Sequence, residues 1–398
     1  MFDLDTIRRD TPGCLDKVFL DSAGSSLPPE PVLTTMIEHL RREADVGGYV
    51  AAARQSGALA AVPHSLARVI GAQATDIALT DSATRAWNDF FASVSLGPGD
   101  RILISGVEYA SNAIAALGRA RSTGAHVEII PSDQYGRIDL DALENMLDER
   151  VRLVSVVHVP TNGGLINPVR EVVELARAHG SLVLLDACQS FGQLPIDVTE
   201  LGIDALSATG RKWLRGPRGT GFLYVRPGLV DALEPAAMDL HGAEWTSENS
   251  FVPAPDATRF ELWETSVAAR LGLGVAADYL LSIGTDTVWA QIESRAVALR
   301  QGLASIPGVD VHDRGTQLSG IVSFTVEGIS EHLVRDQLAA QNITVTVSGR
   351  GSTLLDMDAR GSTPWFAHRR TTSSTKRTWT HSWARSGDYK PPVDRDHA

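Results

Sequence analysis

Lys212 and Asp186 are the two side chains with the most chemistry to offer. Lys212 sits within SATGRKWLRGPRGTGFLYV (Ser207 to Val225), on a turn between an apolar, strand-like run and a glycine-rich bend. The chain then re-enters a strand at Phe222-Leu-Tyr-Val. Upstream, Leu182-Val-Leu-Leu-Asp-Ala-Cys-Gln is an apolar strand that ends on Asp186. A lysine on a loop after a buried strand is clear of ladder hydrogen bonds and can swing. Its amine can form a Schiff base with an aldehyde, while a carboxylate can hold a ring nitrogen protonated. These are the two groups that pyridoxal 5'-phosphate needs from a protein. Either residue alone carries less. A lysine in a Gly-Pro-Arg-Gly loop is most often a solvated turn residue, and an Asp closing a strand is commonly a helix N-cap. The run Gly216-Pro-Arg-Gly-Thr-Gly suggests a phosphate loop, but such loops lead into a helix and this one leads into a strand.

The elements that must hold these residues follow from periodicity. Pro31 to Arg42 and Ala58 to Ile70 read as amphipathic helices. Ile77-Ala-Leu-Thr is a short strand, and Asp81-Ser-Ala-Thr opens a helix through Trp87 to Val94 with capping residues at its start. That helix start is either a plain cap or an anion site. Strands at Arg101 to Ser105, His126 to Ile130, Val151 to Val159 and Leu182 to Leu185 alternate with helices at Ser111 to Arg121, Asp139 to Leu147 and Val169 to His179. Apolar strands alternating with helices imply an α/β fold whose sheet is mainly parallel and covered on both faces. Ligands bind such sheets at the carboxyl ends of the strands, where Thr84, Tyr109, Thr161 and Asp186 should converge.

From about Thr265 the pattern changes. Helical stretches Ala268 to Leu281 and Val288 to Leu303 lead to strands at Gly320 to Val326 and Ile343 to Val347, with a helix from Ile329 to Gln341 between them. We therefore expect a large domain over 15–265 and a smaller α/β domain over 266–361. An N-terminal segment over 1–30 should pack on the small domain, and 362–398 forms an atypical tail.

Bulk properties narrow the class. The 398 residues, 43% hydrophobic and 21% charged, suit a globular protein of two domains. The chain holds no apolar run of about 18 residues, and MFDLDTIRRD is too acidic and broken for a signal peptide. Two cysteines, Cys14 and Cys188, fit a reducing cytoplasm. A net charge of −12 argues against nucleic acid as a partner, and no metal site is expected.

The ordered segments LDSAGSSLPP, TDSAT, VEYASN, HVPTNGGLINP, LLDACQSFGQLPIDV and TGRKWLRGPRGTGFLYV carry a resemblance. Over roughly residues 15 to 360 the chain resembles the class V aminotransferase group of fold-type I pyridoxal phosphate enzymes. That group includes cysteine desulfurases, isopenicillin N epimerase-like proteins and hercynylcysteine sulfoxide lyases, and EADVGGYVAA and RKWLRGPRG look most like the last two. The resemblance implies that Lys212 carries the Schiff base and moves the Cα proton. It gives Asp186 the pyridine nitrogen, Gln189 the phenolic oxygen, and Tyr109 a place against the ring face. Ala83, Thr84, Thr209 and Arg211 would cup the phosphate, Arg211 standing where many desulfurases carry histidine. Thr161 or Asn162 would lie near the phenolic oxygen. Thr265, in RFELWETS, matches a region that reaches a partner subunit's phosphate, which implies a homodimer.

Two departures bear on the reaction. Desulfurases hold sulfur on a mobile-loop cysteine, whereas the corresponding loop Val347-Ser-Gly-Arg-Gly-Ser-Thr-Leu-Leu-Asp has none. Cys188 is expected to be an inert thiol on a buried strand. What remains is elimination of a sulfur group by a C–S lyase, transamination or epimerisation of an amino-acid substrate. The second departure is the tail. Ser362 to Ala398 lacks leucine, isoleucine and methionine, holds three of the eight tryptophans, and carries seven Lys and Arg against three Asp. A disordered basic tail is the bland reading. We read it instead as an out-of-frame translation, because one nucleotide sequence can encode STPWFAHRRTTSSTKRTWTHSWARS and, shifted by one base, DTVVRASADYFFNEEDLDSLVGEVR. The shifted string resembles the family's C-terminus, whose strand arginine clamps the substrate carboxylate. Arg369 and Arg370 fall near that position without the right local pattern, and Arg360 precedes it. Cofactor binding should survive while substrate affinity suffers, leaving a cofactor-binding but impaired paralogue as an alternative.

Overall fold

Seven strands rich in Val, Ile, Leu and Ala form the central sheet of the computed structural model, which describes residues 3–361. In chain order they are β1 (Ile77–Thr80), β2 (Arg101–Ser105), β3 (His126–Ile130), β4 (Val151–Val157), β5 (Leu182–Asp186), β6 (Ala205–Thr209) and β7 (Gly221–Val225). The spatial order is β1-β7-β6-β5-β4-β2-β3. Only β7 runs against its neighbours β1 and β6; the other pairings are parallel. The carboxyl ends of six strands therefore share one edge with the amino end of β7. Strands β5 and β6 were legible as apolar runs because the sheet centre is covered on both faces, leaving no polar side to alternate with.

Helices α1 (Glu30–Val46), α2 (Ser56–Ile70), α3 (Ala83–Ser93), α4 (Ala110–Thr123), α5 (Val169–Ala178) and α6 (Val267–Ile283) cover the two faces. On one face Leu66 and Ile70 of α2, Val172 of α5 and Leu273 and Ala277 of α6 close over Val154, Leu185 and Leu206. On the other, α3 turns Ala86, Trp87, Phe90 and Phe91 inward onto Ile102, Leu153 and Leu184. Helix α6 thus belongs to the large core, although the small domain was expected to begin at residue 266. Its apolar residues run nearly all round, as in a fully buried helix. The change of direction comes at Gly284, where α7 (Thr285–Ala304) leaves at 79° to α6. Among the described residues no single helix is long and apolar enough to cross a membrane.

The smaller unit holds an antiparallel pair, Val309–Val311 with Phe324–Val326, packed on Leu303 of α7. Val18–Phe19 pairs in parallel with Ile343–Thr344, tying the N-terminal segment to this unit. The strand expected from Gly320 shrinks because its backbone meets side chains instead of a neighbouring strand. Arg300 donates to the carbonyls of Ser319 and Ile321, and Ser323 N–H donates to Asp313. Outside the two layers, Gly48–Arg54 is a short helix, and Ala243–Ser247 pairs with Ser250–Pro253 as a hairpin. The tail over 362–398, with Arg369 and Arg370, lies outside the described residues.

Candidate active site

At the carboxyl edge of the sheet, Ala83, Thr84, Tyr109, Thr161, Asp186, Gln189, Thr209, Arg211 and Lys212 line one cleft of about 90 Å3. Lys212 and Asp186 thus reach it from adjacent strands: Asp186 ends β5 and is paired with Ser207 of β6, and the lysine turn follows β6. Backbone bonds hold that turn, Gly216 N–H to the Gly210 carbonyl and Arg215 N–H to the Lys212 carbonyl. The Lys212 side chain is buried. Burial pulls its pKa down, and neighbouring Arg211 adds to this against the opposite pull of Cys188 and Asp186.

Asp186 is held from two sides. Its Oδ1 accepts from the backbone N–H of Cys188 at 2.9 Å, and its Oδ2 accepts from Asn112 Nδ2 at 2.8 Å. Asn112 lies one turn into α4, and the same Nδ2 donates to Glu108 Oε1 at 2.9 Å. Glu108 also accepts from Ser155 Oγ at 2.8 Å and from the Tyr109 N–H at 3.0 Å. Sequence reasoning missed Glu108 and Asn112. Their four-residue spacing at a helix start, inside VEYASN, was the signal that could have found them.

Gln189 takes three partners, donating to the Ala23 carbonyl and Thr161 Oγ1 and accepting from Trp213 Nε1. It is fixed and presents the Thr161 hydroxyl beside it. The geometry separates Thr161 from Asn162. Thr161 faces the cleft, while Asn162 turns to the small unit, bonding Thr353 Oγ1 and accepting from Ser348 Oγ at 2.8 Å. Arg211 lines the cleft, yet its Nη1 donates to the Gly24 carbonyl. Thr209 Oγ1 donates to the Thr220 carbonyl. Thr265 does not line the cleft; it leads into the Ser266 cap of α6. Arg360 is engaged elsewhere, with Asp356 and the His312 carbonyl. Cys188 is partly exposed in the cleft wall just past β5, rather than inside a buried strand. Burial and the Asp186 charge push its thiol pKa far up, so it stays a thiol at neutral pH.

One end of the cleft is built for an anion. Ala83 and Thr84 open α3, so their amides have no intrahelical acceptor, and Ser82 caps the next turn through Arg85 N–H. A model of the aminotransferase class-V family matches residues 18–371. The chain belongs to the aminotransferase class-V family.

Relatives agree with that placement. The chain is 30% identical over 329 residues to a probable cysteine desulfurase of Methanothermobacter thermautotrophicus, 82% of each chain being covered. It is 32% identical over 369 residues to a probable cysteine desulfurase 2 of Mycobacterium leprae, with 87% of each covered. The apo structure of a cysteine desulfurase from Thermococcus onnurineus NA1 superposes with a TM-score of 0.83 at 26% identity, covering 91% of each chain. The cofactor of this class V chain is pyridoxal 5'-phosphate, and the donor set fits it. A buried amine, a carboxylate across the cleft and a helix start with open amides match its aldehyde, ring nitrogen and phosphate.

Proposed function

We propose that this chain is a C–S lyase acting at Cα and Cβ of a sulfur-containing amino acid, without storing sulfur on a cysteine of its own. The observation that carries the reading is the shared cleft of Lys212 and Asp186, together with the lack of a cysteine over Val347 to Asp356, where the resemblance places the sulfur-holding loop. The cofactor, when bound, supplies an electron sink for the carbanion at Cα. Lys212 would hold the cofactor's aldehyde carbon and then carry the Cα proton, a task suited to an amine whose pKa burial has lowered. Asp186 would keep the ring nitrogen protonated. Ala83 and Thr84 amides would hold the phosphate, joined by the Thr209 hydroxyl once it turns from the Thr220 carbonyl, and the Thr161 hydroxyl, steadied by Gln189, the phenolic oxygen. Tyr109, in the cleft wall at the start of α4, would cover one ring face and exclude water.

A second copy is part of this reading. Tyr49 (81% exposed), Trp245 (79%), Phe251 and Trp263 are large apolar side chains left in solvent on and near the ordered helix and hairpin. Such groups suit burial in a homodimer, and Thr265 lies two residues from Trp263.

The test is a spectral titration of the purified chain with pyridoxal 5'-phosphate, followed by sulfur amino acids. A visible band that Lys212→Ala loses, with release of pyruvate and ammonia, is the expected result. A keto acid accompanied by aminated cofactor would make it a transaminase instead. Sedimentation of the loaded chain as a monomer would remove the dimer.

A further inference from the structure

Asp186 is not the only carboxylate behind the cleft. Glu108 is 2% exposed, and the amide of Asn112 is the bridge between the two, donating to Glu108 Oε1 at 2.9 Å and to Asp186 Oδ2 at 2.8 Å. One short, buried amide thus couples two acids on different elements, Glu108 before α4 and Asp186 at the end of β5. Resting on the reading above, we propose that Glu108 and Asn112 form a relay behind Asp186. Glu108 holds a proton so that Asp186 alone carries the negative charge that faces the cofactor's ring nitrogen.

The hydrogen bonds define where that proton sits. Glu108 Oε1 already accepts two donors, the Asn112 amide and the Tyr109 N–H. Neither donor can be reversed, so this oxygen must be the acceptor. Oε2 meets only Ser155 Oγ at 2.8 Å, and a hydroxyl can accept as well as donate. Oε2 is therefore the site for the proton, with Ser155 as its acceptor. Two like charges in one buried network would be costly without a cation for each. Across the cleft Asp186 has a cationic partner in Lys212, whereas the groups that act on Glu108 include no cation.

The surroundings agree with a neutral Glu108. Burial first, and the Asp186 charge after it, raise its pKa to about 7, while Asn112, Ser155 and the Tyr109 N–H pull the other way. The titratable groups facing the relay are few. Tyr109 comes from the start of α4, and Asp186 and Cys188 from the end of β5. Lys212 and Arg211 come from the turn after β6. Strand β4 contributes the neutral Ser155, and His158 beyond it bonds its N–H to the Asp186 carbonyl and is kept uncharged by burial. A group poised near neutrality, one amide away from the ring-nitrogen partner, adds a second negative charge behind Asp186 when it ionises, so the field at the ring nitrogen changes with pH. Glu108 is a positioning residue in this scheme and touches neither cofactor nor substrate.

Three variants test it. Gln at 108 copies a protonated acid: its carbonyl accepts from Asn112, and its amide donates to Ser155. Glu108→Gln should therefore match the parent in cofactor affinity, within about twofold, below pH 7. It should lose the step near pH 7 in the absorbance of the bound cofactor. Asn112→Leu should cut the relay, weakening cofactor binding on the order of tenfold and removing the same step. Asn112→Gln, a longer amide, guards against a merely unfolded variant. In the cofactor-free chain, difference infrared spectroscopy should show one carboxylic acid titrating near 7 that Glu108→Gln removes. If Glu108→Gln keeps the spectral step, or weakens cofactor binding at every pH, Glu108 is a buried anion and the relay is wrong. A chain that binds no cofactor but shows the infrared titration would overturn the function and leave the carboxyl pair standing.

Discussion

Gly221 and the amide of Ala83 approach so closely that no side chain fits between them. A Cβ added at Gly221 would lie 2.7 Å from Ala83 N and 2.6 Å from Ser82 C, both backbone atoms that cannot swing aside. Gly221 starts β7 and pairs with Thr80 on one side and Thr209 on the other. Its bareness is what lets the first turn of α3 sit at the strand ends beside the lysine turn. Gly221→Ala should displace that turn, costing about 1–3 kcal/mol of stability and weakening phosphate-bearing ligands more than apolar ones. Thermal melts of the cofactor-free chain, with and without pyridoxal 5'-phosphate, check it. An unchanged ligand-induced shift would show that α3 does not hold the phosphate.

Two buried groups give the fold opposite pH dependences. Burial lowers His158 from 6.5 to about 4, and it raises Glu108 from 4.5 to about 7. For His158 the unfolded chain takes the proton first. Its contribution is complete above pH 6.5 and is lost as pH falls toward 4, by roughly 3 kcal/mol. For Glu108 the native chain keeps the proton longer, so stability is lost as pH rises from 4.5 through 7, by a similar amount. In the parent chain the two largely offset each other between 4.5 and 6.5. Denaturant melts of Glu108→Gln should uncover a steep loss of stability on acidification. In His158→Gln, stability should instead rise as pH falls from 7 toward 5. Parallel profiles for parent and variants would mean that these groups titrate as they do in water.

Much of the sheet was legible because its strands are apolar along their length and separated by helices with a clear period. The cleft residues were legible for a related reason: Asp186, Lys212 and Thr84 stand where an apolar run stops, and such positions end at the carboxyl edge of the sheet. What stayed hidden depends on contacts between distant parts of the chain. Nothing local in Gly320-Ile-Val-Ser says that its carbonyls serve Arg300 instead of a strand. Asn162, next to Thr161 in the sequence, turns to Thr353 and Ser348 for partners far along the chain. The all-round apolar surface of α6 could be read as the start of a new domain, since burial against α1 and α2 leaves no polar stripe to mark its side.

A buried ion pair inside the small unit holds one of the groups that bond it to the cleft rim. Arg300 Nε donates to Asp313 Oδ2 at 2.7 Å, and Asp313 Oδ1 accepts from Ser323 Oγ and from the N–H of Gly164, three residues past Thr161. Removing the acid would leave the guanidinium buried with only carbonyl partners, and breaking such a pair costs about 3–5 kcal/mol. Asp313→Ala should therefore lower the unfolding midpoint and speed hydrogen exchange at Gly163 and Gly164. Exchange that quickens only in the small unit would show that the rim holds without this anchor.

Cys188 decides whether sulfur can rest on this chain. Its thiol lines the cleft one residue past the carbonyl of Ala187, with Asp186 and burial both opposing thiolate formation. A thiol attacks sulfur as its anion, so burial and the Asp186 charge both work against Cys188 in that task. Cys14 is the other cysteine, and it lies in the short N-terminal turn Pro12–Cys14, outside the cleft lining. After turnover of a sulfur amino acid, neither cysteine should carry an extra sulfur atom by mass spectrometry. Alkylation of Cys188 by iodoacetamide near pH 7 should be at least tenfold slower than that of a free thiol of ordinary pKa, about 8.5. A persulfide trapped on Cys188 would replace simple C–S cleavage with sulfur transfer.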